Sequence, residues 1–341
     1  MVVQRPIKIG RIVAFGALLI AALGTISSSA FAQYTVTNLV SNLPGKAQHQ
    51  DTSLINAWGI SYAPGGPFWV SDNGTGLSTL YNATGVKQST VVTIPSSSGS
   101  GTGSPTGQVY NSTPGFVITQ NGHSGPSLFI FATFDGTISG WSPSVNATTA
   151  VVAVNNTGAW FTGLATGVNN SATYLFAADN LNGKVDIYDS TFKFVSSFTD
   201  TSLPAGSAPY NVVNIGGQLY VAFTNSTGGG VVDIFDTAGN KIKTLVSGGK
   251  LHSPWGVALA PSNFGTASKA LLVGNLGDGF IHAYNPSTGA YLGQSAVSFD
   301  GLWALIFGGG SVANNGNTNQ LFLTSGPGGY SEGLFSVVNV K

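Results

Sequence analysis

Hydrophobic positions along this chain come in short runs that stop at Gly, Asn, Asp or Ser. Phe68-Trp69-Val70-Ser71-Asp72, Leu175-Phe176-Ala177-Ala178-Asp179 and Leu271-Leu272-Val273-Gly274-Asn275 are three of them. Runs of about five residues, rich in β-branched and aromatic side chains and bounded by turn formers, predict strands. No helix is expected. Dipeptides such as Asp135-Gly136 and Asp278-Gly279 supply the hairpin turns, where a positive φ is needed.

The runs repeat. Six units share an apolar first strand, a second strand ending in a small polar residue, a Gly, and a third strand that ends on an aromatic in the first five. Those aromatics are Tyr81, Trp141, Tyr188, Phe235 and Tyr284. First strands start at Trp58, Thr106, Thr162, Tyr210, Trp255 and Trp303, spaced 48, 56, 48, 45 and 48 residues apart. A period of roughly 50 with four short strands per unit is that of a propeller blade. The fold class expected is all-β, a six-bladed β-propeller spanning residues 33–341.

The last unit ends after its third strand, near residue 340, and residues 34–40 read as a fourth strand with no blade before them. The economical solution is that the N-terminal strand completes the last blade and closes the ring. The alternative is a strand packed elsewhere. Closure would remove the exposed edges that invite aggregation.

The N-terminus carries a different pattern. Arg5, Lys8 and Arg11 precede an uncharged apolar stretch over 12–26, followed by Ser28-Ser29-Ala30-Phe31-Ala32. This is the plan of a secretory signal peptide over residues 1–32, cut after Ala32. Its apolar core is short for a bilayer span. A secreted or periplasmic protein with no membrane span after signal removal is therefore expected, and a monomer.

Charge narrows the partners. The 12 basic residues less Arg5, Lys8 and Arg11 leave nine, against 12 acidic ones, and no arginine remains. Without a basic footprint or a guanidinium fork, nucleic-acid binding is not expected. There is no cysteine, so neither disulfides nor thiol chemistry are available. The run at 96–103, all Ser and Gly save Thr102, reads as a flexible loop.

Several strings resemble a known family. Trp58-Gly59-Ile60, the stretch from Phe68 to Tyr81, Gly136-Thr137-Ile138-Ser139-Gly140-Trp141, Ser253-Pro254-Trp255-Gly256 and Asp300-Gly301-Leu302-Trp303 resemble secreted bacterial β-propellers of unassigned function. More distantly the chain is similar to NHL-type and gluconolactonase-like six-bladed propellers. The resemblance implies the fold and supplies no catalytic residues.

Candidate site residues follow from equivalent blade positions. Asp72, Asp179 and Asn275 end second strands. Either each caps its own turn, as Asx residues do, or they converge with other oxygens on a hard cation such as Ca²⁺. Trp58, Trp255 and Trp303 begin first strands beside the channel, where they either pack between blades or stack on a ligand. Asp300 stands outside any hairpin and is the best candidate for a base or ligand. His49, His123, His252 and His282 fall in separate segments, with no spacing that pairs imidazoles. No nucleophile elbow or phosphate loop is present. Two functions are open. One is an exported binding propeller for a neutral glycan or an envelope or extracellular partner. The other is a metal-assisted, lactonase-like hydrolase using Asp72, Asp179, Asn275 and Asp300.

Overall fold

The computed structural model describes residues 34–341, so the signal peptide expected over 1–32 and its expected cleavage point lie outside the described residues. Six sheets stand around a central channel, antiparallel except where His49–Gln50 pairs in parallel with the N-terminal strand at the outer edge of one of them. Their first strands line it: Ala57–Tyr62, Pro105–Tyr110, Phe161–Asn169, Ala208–Ile215, Pro254–Leu259 and Leu302–Phe307. Each of the first five blades then runs outward through three more strands in chain order.

The sixth blade is built from both ends of the chain. Tyr34–Ser41 pairs antiparallel with Leu334–Val340, from Tyr34 opposite Val340 to Ser41 opposite Leu334. Side chains reinforce the seam: Ser336 Oγ donates to Asn38 Oδ1 at 2.9 Å, and Gly333 N donates to Asn42 Oδ1 at 2.9 Å. Tyr34 reaches further, its hydroxyl donating to the Phe264 carbonyl at 2.7 Å.

Buried side chains divide into six clusters, one at each interface between neighbouring blades. Trp69, Phe129, Phe131 and Trp141 fill the gap between blades 1 and 2, for example. Phe176, Phe223 and Phe235 fill that between blades 3 and 4. The closing interface holds Leu39 and Val40 from the N-terminal strand with Phe68, Tyr81, Phe322 and Phe335. Large side chains are therefore spent on gluing blades together, the usual economy of a radial repeat.

Three local features depart from the sequence expectation. A small hairpin, Val117–Gln120 with His123–Pro126, is inserted in blade 2 and accounts for its longer spacing. The run at 96–103 is tied down. Ser97 N donates to Asp135 Oδ2 at 2.6 Å, Asn155 Nδ2 donates to the Ser97 carbonyl at 2.8 Å, and Pro95 bridges Thr102. Finally, where no helix was expected, one short turn of 3-10 helix (Gly265–Ala267) and one single-turn segment (Pro327–Tyr330) occur.

Candidate functional site

The first strands approach one another closely at their starts. A Cβ on Gly59 would lie 2.2 Å from the Thr106 carbonyl oxygen, and one on Gly107 would lie 2.6 Å from the Gly163 Cα. The residue after each first-strand start is therefore small, except Asn211, whose side chain lies in the collar against Gly163 of the preceding blade. Asn211 sends its Nδ2 to the Trp255 carbonyl at 2.9 Å.

Above this collar the strand starts themselves close the channel. Trp58 and Trp303 stack face to face, with centroids 3.6 Å apart and planes at 14°. Trp255 stands edge-on to both, at 6.4 and 6.2 Å. Tyr210, the fourth aromatic start, meets Trp303 edge-on at 5.9 Å. Two indoles are pinned by hydrogen bonds: Trp255 Nε1 to the Thr162 carbonyl at 3.1 Å, and Trp303 Nε1 to Asn56 Oδ1 at 2.8 Å. Trp58 Nε1 is buried with no partner. A buried donor left unpaired is costly.

Outside this layer the aromatic surface continues. Phe134 lies 6.4 Å from Trp58 and stacks on Trp160 at 4.8 Å. Tyr330 lies 5.7 Å from Trp303. Trp160 is 39% exposed and Tyr330 46%, so this mouth presents aromatic faces to solvent. Asp300 joins it: its Oδ2 accepts from Gly328 N at 3.0 Å, and its charge pushes the Tyr330 hydroxyl up after burial has done so.

Below the layer the channel widens into a cavity of about 670 Å³. Ser61, Tyr62, Gln108, Tyr110, Thr166 and Asn214 are its polar lining residues away from the collar, among glycines and aliphatic side chains. None of its lining residues is Asp, Glu, Lys or His. Gln108 is fully engaged, bonding Ser61, Ser71 and the carbonyls of Gly59 and Trp69.

The structure thus brings Trp58, Trp255, Trp303 and Asp300 to one mouth. The other three candidates are engaged or buried at the ends of their own second strands. Asp179 accepts from Trp160 N and Asn182 N with Oδ1, and from Asn182 Nδ2 with Oδ2 at 2.6 Å. Asn275 donates to the Lys250 carbonyl at 2.7 Å and to Asp278. Asp72 is fully buried, with neither oxygen hydrogen-bonded. Burial drives its pKa well up, and the nearby Asp51 carboxylate adds to this. One side chain that caps its own turn, one that spends its amide on Lys250 and Asp278, and one whose burial penalises ionisation do not make a shell for a hard cation. Among the described residues, no group of three or more His, Asp or Glu is placed to hold a metal ion.

One polar set escaped the sequence reading. Thr79, Ser139, Asp186, Asp233, His282 and Ser336 occupy the same third-strand position, and all are buried. The signal was available: the first five lie two residues before the aromatic that closes their third strand. Asp233 has a measurable consequence. Burial pushes its carboxyl up to about 6, against 3.8 for an ordinary aspartate, with neighbouring Asp200 contributing. Between these values the native state holds a proton that the unfolded chain has lost. Stability from this group is therefore full below about pH 4 and is lost as pH rises through the folded value. Asp200 behaves oppositely. Burial alone would raise it, but Lys241 and Ser202 hold it below the ordinary range. Its contribution is lost only as pH falls below its unfolded value, so the two windows are separate. Asp233→Asn should reduce the loss of stability between about pH 4 and 7 by on the order of 2 kcal/mol. Urea unfolding across that range checks this, and parallel pH profiles for variant and parent would refute it.

Comparison with known proteins agrees with the fold and stops there. No protein-family model matches the chain. Two uncharacterized proteins of Acanthamoeba polyphaga mimivirus are similar at 29% identity. One matches over 310 residues (86% of this chain, 76% of the relative), the other over 296 (82% and 78%). Among solved structures, a streptogramin B lyase superposes with a TM-score of 0.56 at 12% identity, covering 92% of this chain and all of the other. A luciferin-regenerating enzyme gives 0.56 at 11%, covering 90% and 95%. A catalytically inactive virginiamycin B lyase from Staphylococcus aureus with quinupristin gives 0.54 at 10%, covering 90% and 100%. Such identities establish a shared propeller architecture, distantly related to that of propeller enzymes, and no shared chemistry.

Proposed function

We propose that this chain is an exported binding propeller whose ligand is neutral, a glycan first among the candidates. The observation that carries the reading is the channel cavity, about 670 Å³ in volume with no charged side chain in its lining. That volume lies in the range of small-ligand sites, roughly 300–1,000 Å³. An ionic ligand entering it would lose its hydration with no counter-charge to replace it, a large penalty. A neutral ligand loses much less and can bond to the hydroxyls and amides of Thr166, Tyr110 and Asn214. At the other end of the channel the exposed rings of Trp160 and Tyr330 suit the flat apolar faces of sugar rings. The metal-assisted hydrolase reading lacks comparable support, since Asp72, Asp179 and Asn275 do not converge.

A panel of neutral and charged oligosaccharides, titrated calorimetrically at low and high salt, tests the reading. Binding of neutral members with little change in affinity between the two salt conditions is expected, because no ion pair contributes to be screened. Binding confined to charged members, or to none of the panel, would overturn it.

A further inference from the structure

Resting on that reading, we propose that the aromatic mouth is a saccharide subsite, in which a neutral sugar ring stacks on Trp160 and Tyr330 and hydrogen-bonds Asp300 and Trp58 Nε1. The mouth lies at the opposite end of the channel from the opening of the cavity, with the tryptophan layer between them.

Four features of the mouth point to such an occupant. Trp160 is 39% exposed and is held flat by stacking on Phe134 at 4.8 Å, a preset platform for an apolar ring face. Asp300 is exposed and spends Oδ2 on Gly328 N, leaving Oδ1 to accept sugar hydroxyls. Trp58, only 5% exposed, carries a buried Nε1 with no partner. A ring or hydroxyl oxygen would satisfy it, and neither an aliphatic ligand nor a cation would.

The fourth feature is the segment packed on Trp303, the ring that stacks on Trp58. Gly328, Gly329 and Tyr330 take φ values of 62, 65 and 72° in succession. The two glycines adopt the left-handed region freely, but for tyrosine it is strained. Strain of this kind collects at binding sites. The Tyr330 ring packs on Trp303 at 5.7 Å, and Trp303 in turn stacks on Trp58. Lifting Tyr330 relieves its backbone and uncovers the indole pair, so the tyrosine is a cover that the incoming ring replaces or stacks upon. Exposed aromatic faces, an acidic acceptor and an indole donor together recognise a neutral pyranose.

Tryptophan fluorescence reports on this site directly, because Trp58, Trp160 and Trp303 all belong to it. The full mature chain is titrated with neutral gluco-, manno-, xylo- and chito-oligosaccharides. A saturable change in emission is expected with at least one series. Trp160→Ala and Tyr330→Ala should each weaken that binding about tenfold or more, and Asp300→Asn should weaken it measurably. All three positions are at the surface, so folding is retained and is checked by the melting curve. Thr166→Trp fills the cavity beneath and so separates the two places: binding at the mouth survives it, and binding in the cavity does not. If a saccharide binds but is lost in Thr166→Trp and kept in the mouth variants, the subsite is wrong and neutral-ligand binding stands. If no neutral saccharide binds, both fall.

Discussion

Deleting residues 34–41 will abolish cooperative folding of the propeller, and a cross-link over the same seam will stabilise it. The N-terminal strand supplies the fourth strand of the sixth blade, so its loss exposes the whole hydrogen-bonding edge of Leu334–Val340. It also strips Leu39 and Val40, 3% and 0% exposed, from the interface with Phe68, Tyr81 and Phe335. The milder substitution Val40→Asp places an unpaired charge in that interface and should cost about 3–5 kcal/mol. The opposite experiment uses the absence of cysteine from the chain. Thr35 and Asn339 face each other across the seam and neither is buried, so Thr35→Cys with Asn339→Cys disturbs little of the core. Closing a loop of roughly 300 residues constrains the unfolded chain by up to about 5 kcal/mol in the chain-entropy account. Denaturant unfolding of the oxidised and reduced double variant measures the difference. A truncated chain that unfolds like the parent, or a cross-link without effect, would mean that the ring does not depend on this seam.

Closure was legible in the sequence because it is a matter of counting. The last unit ends one strand short, and 34–40 is a strand with no blade. The blades were legible for the same reason: five closing aromatics and six strand starts repeat, and tertiary context acts alike on each copy. The inserted hairpin at 117–126 was missed, although Asn121-Gly122 is a hairpin signal and both residues take positive φ. It breaks the period, and a period search discounts what breaks it. The tryptophans were legible as neighbours but not as a plug. Sequence spacing places Trp58, Trp255 and Trp303 at equivalent positions, and only the ring radius decides that three indoles meet across the axis. Asp72 and Asp179 show the limit most clearly. Both end a second strand, yet Asp179 caps its own turn while Asp72 is buried without a hydrogen bond. Asn182 follows Asp179 by three residues and offers its amide, whereas Thr75 holds that place after Asp72 and turns its hydroxyl to the Ser53 and Asp72 carbonyls. Tyr330 and Trp160 were invisible as site residues, since neither lies at a repeating position.

The glycine collar gives the second large effect. Gly107→Ala will destabilise the propeller by roughly 1–3 kcal/mol, toward the upper end, although it adds a single methyl group and leaves strand propensity almost unchanged. The new Cβ would meet the Gly163 Cα at 2.6 Å, Leu164 N at 2.7 Å and the Gly163 carbonyl carbon at 2.9 Å. All three are backbone atoms of the next blade, so no side chain can turn aside, and the first strands themselves must separate. Separation spreads the ring at the level where Trp58 and Trp303 stack, so the indole packing should loosen as stability falls. Near-ultraviolet circular dichroism of the indoles and urea unfolding read the two consequences in one variant. Gly158→Ala is the matched control: that glycine is exposed, and its Cβ would find nothing nearer than Asn156 Oδ1 at 3.4 Å. It should change stability by no more than about 0.5 kcal/mol. Equal effects at both positions would show that the first glycine is kept for chain flexibility and not for the approach of neighbouring blades. A loss at Gly107 alone, with weakened indole ellipticity, would tie the Trp-Gly and Thr-Gly pairs that begin the blades to the diameter of the channel.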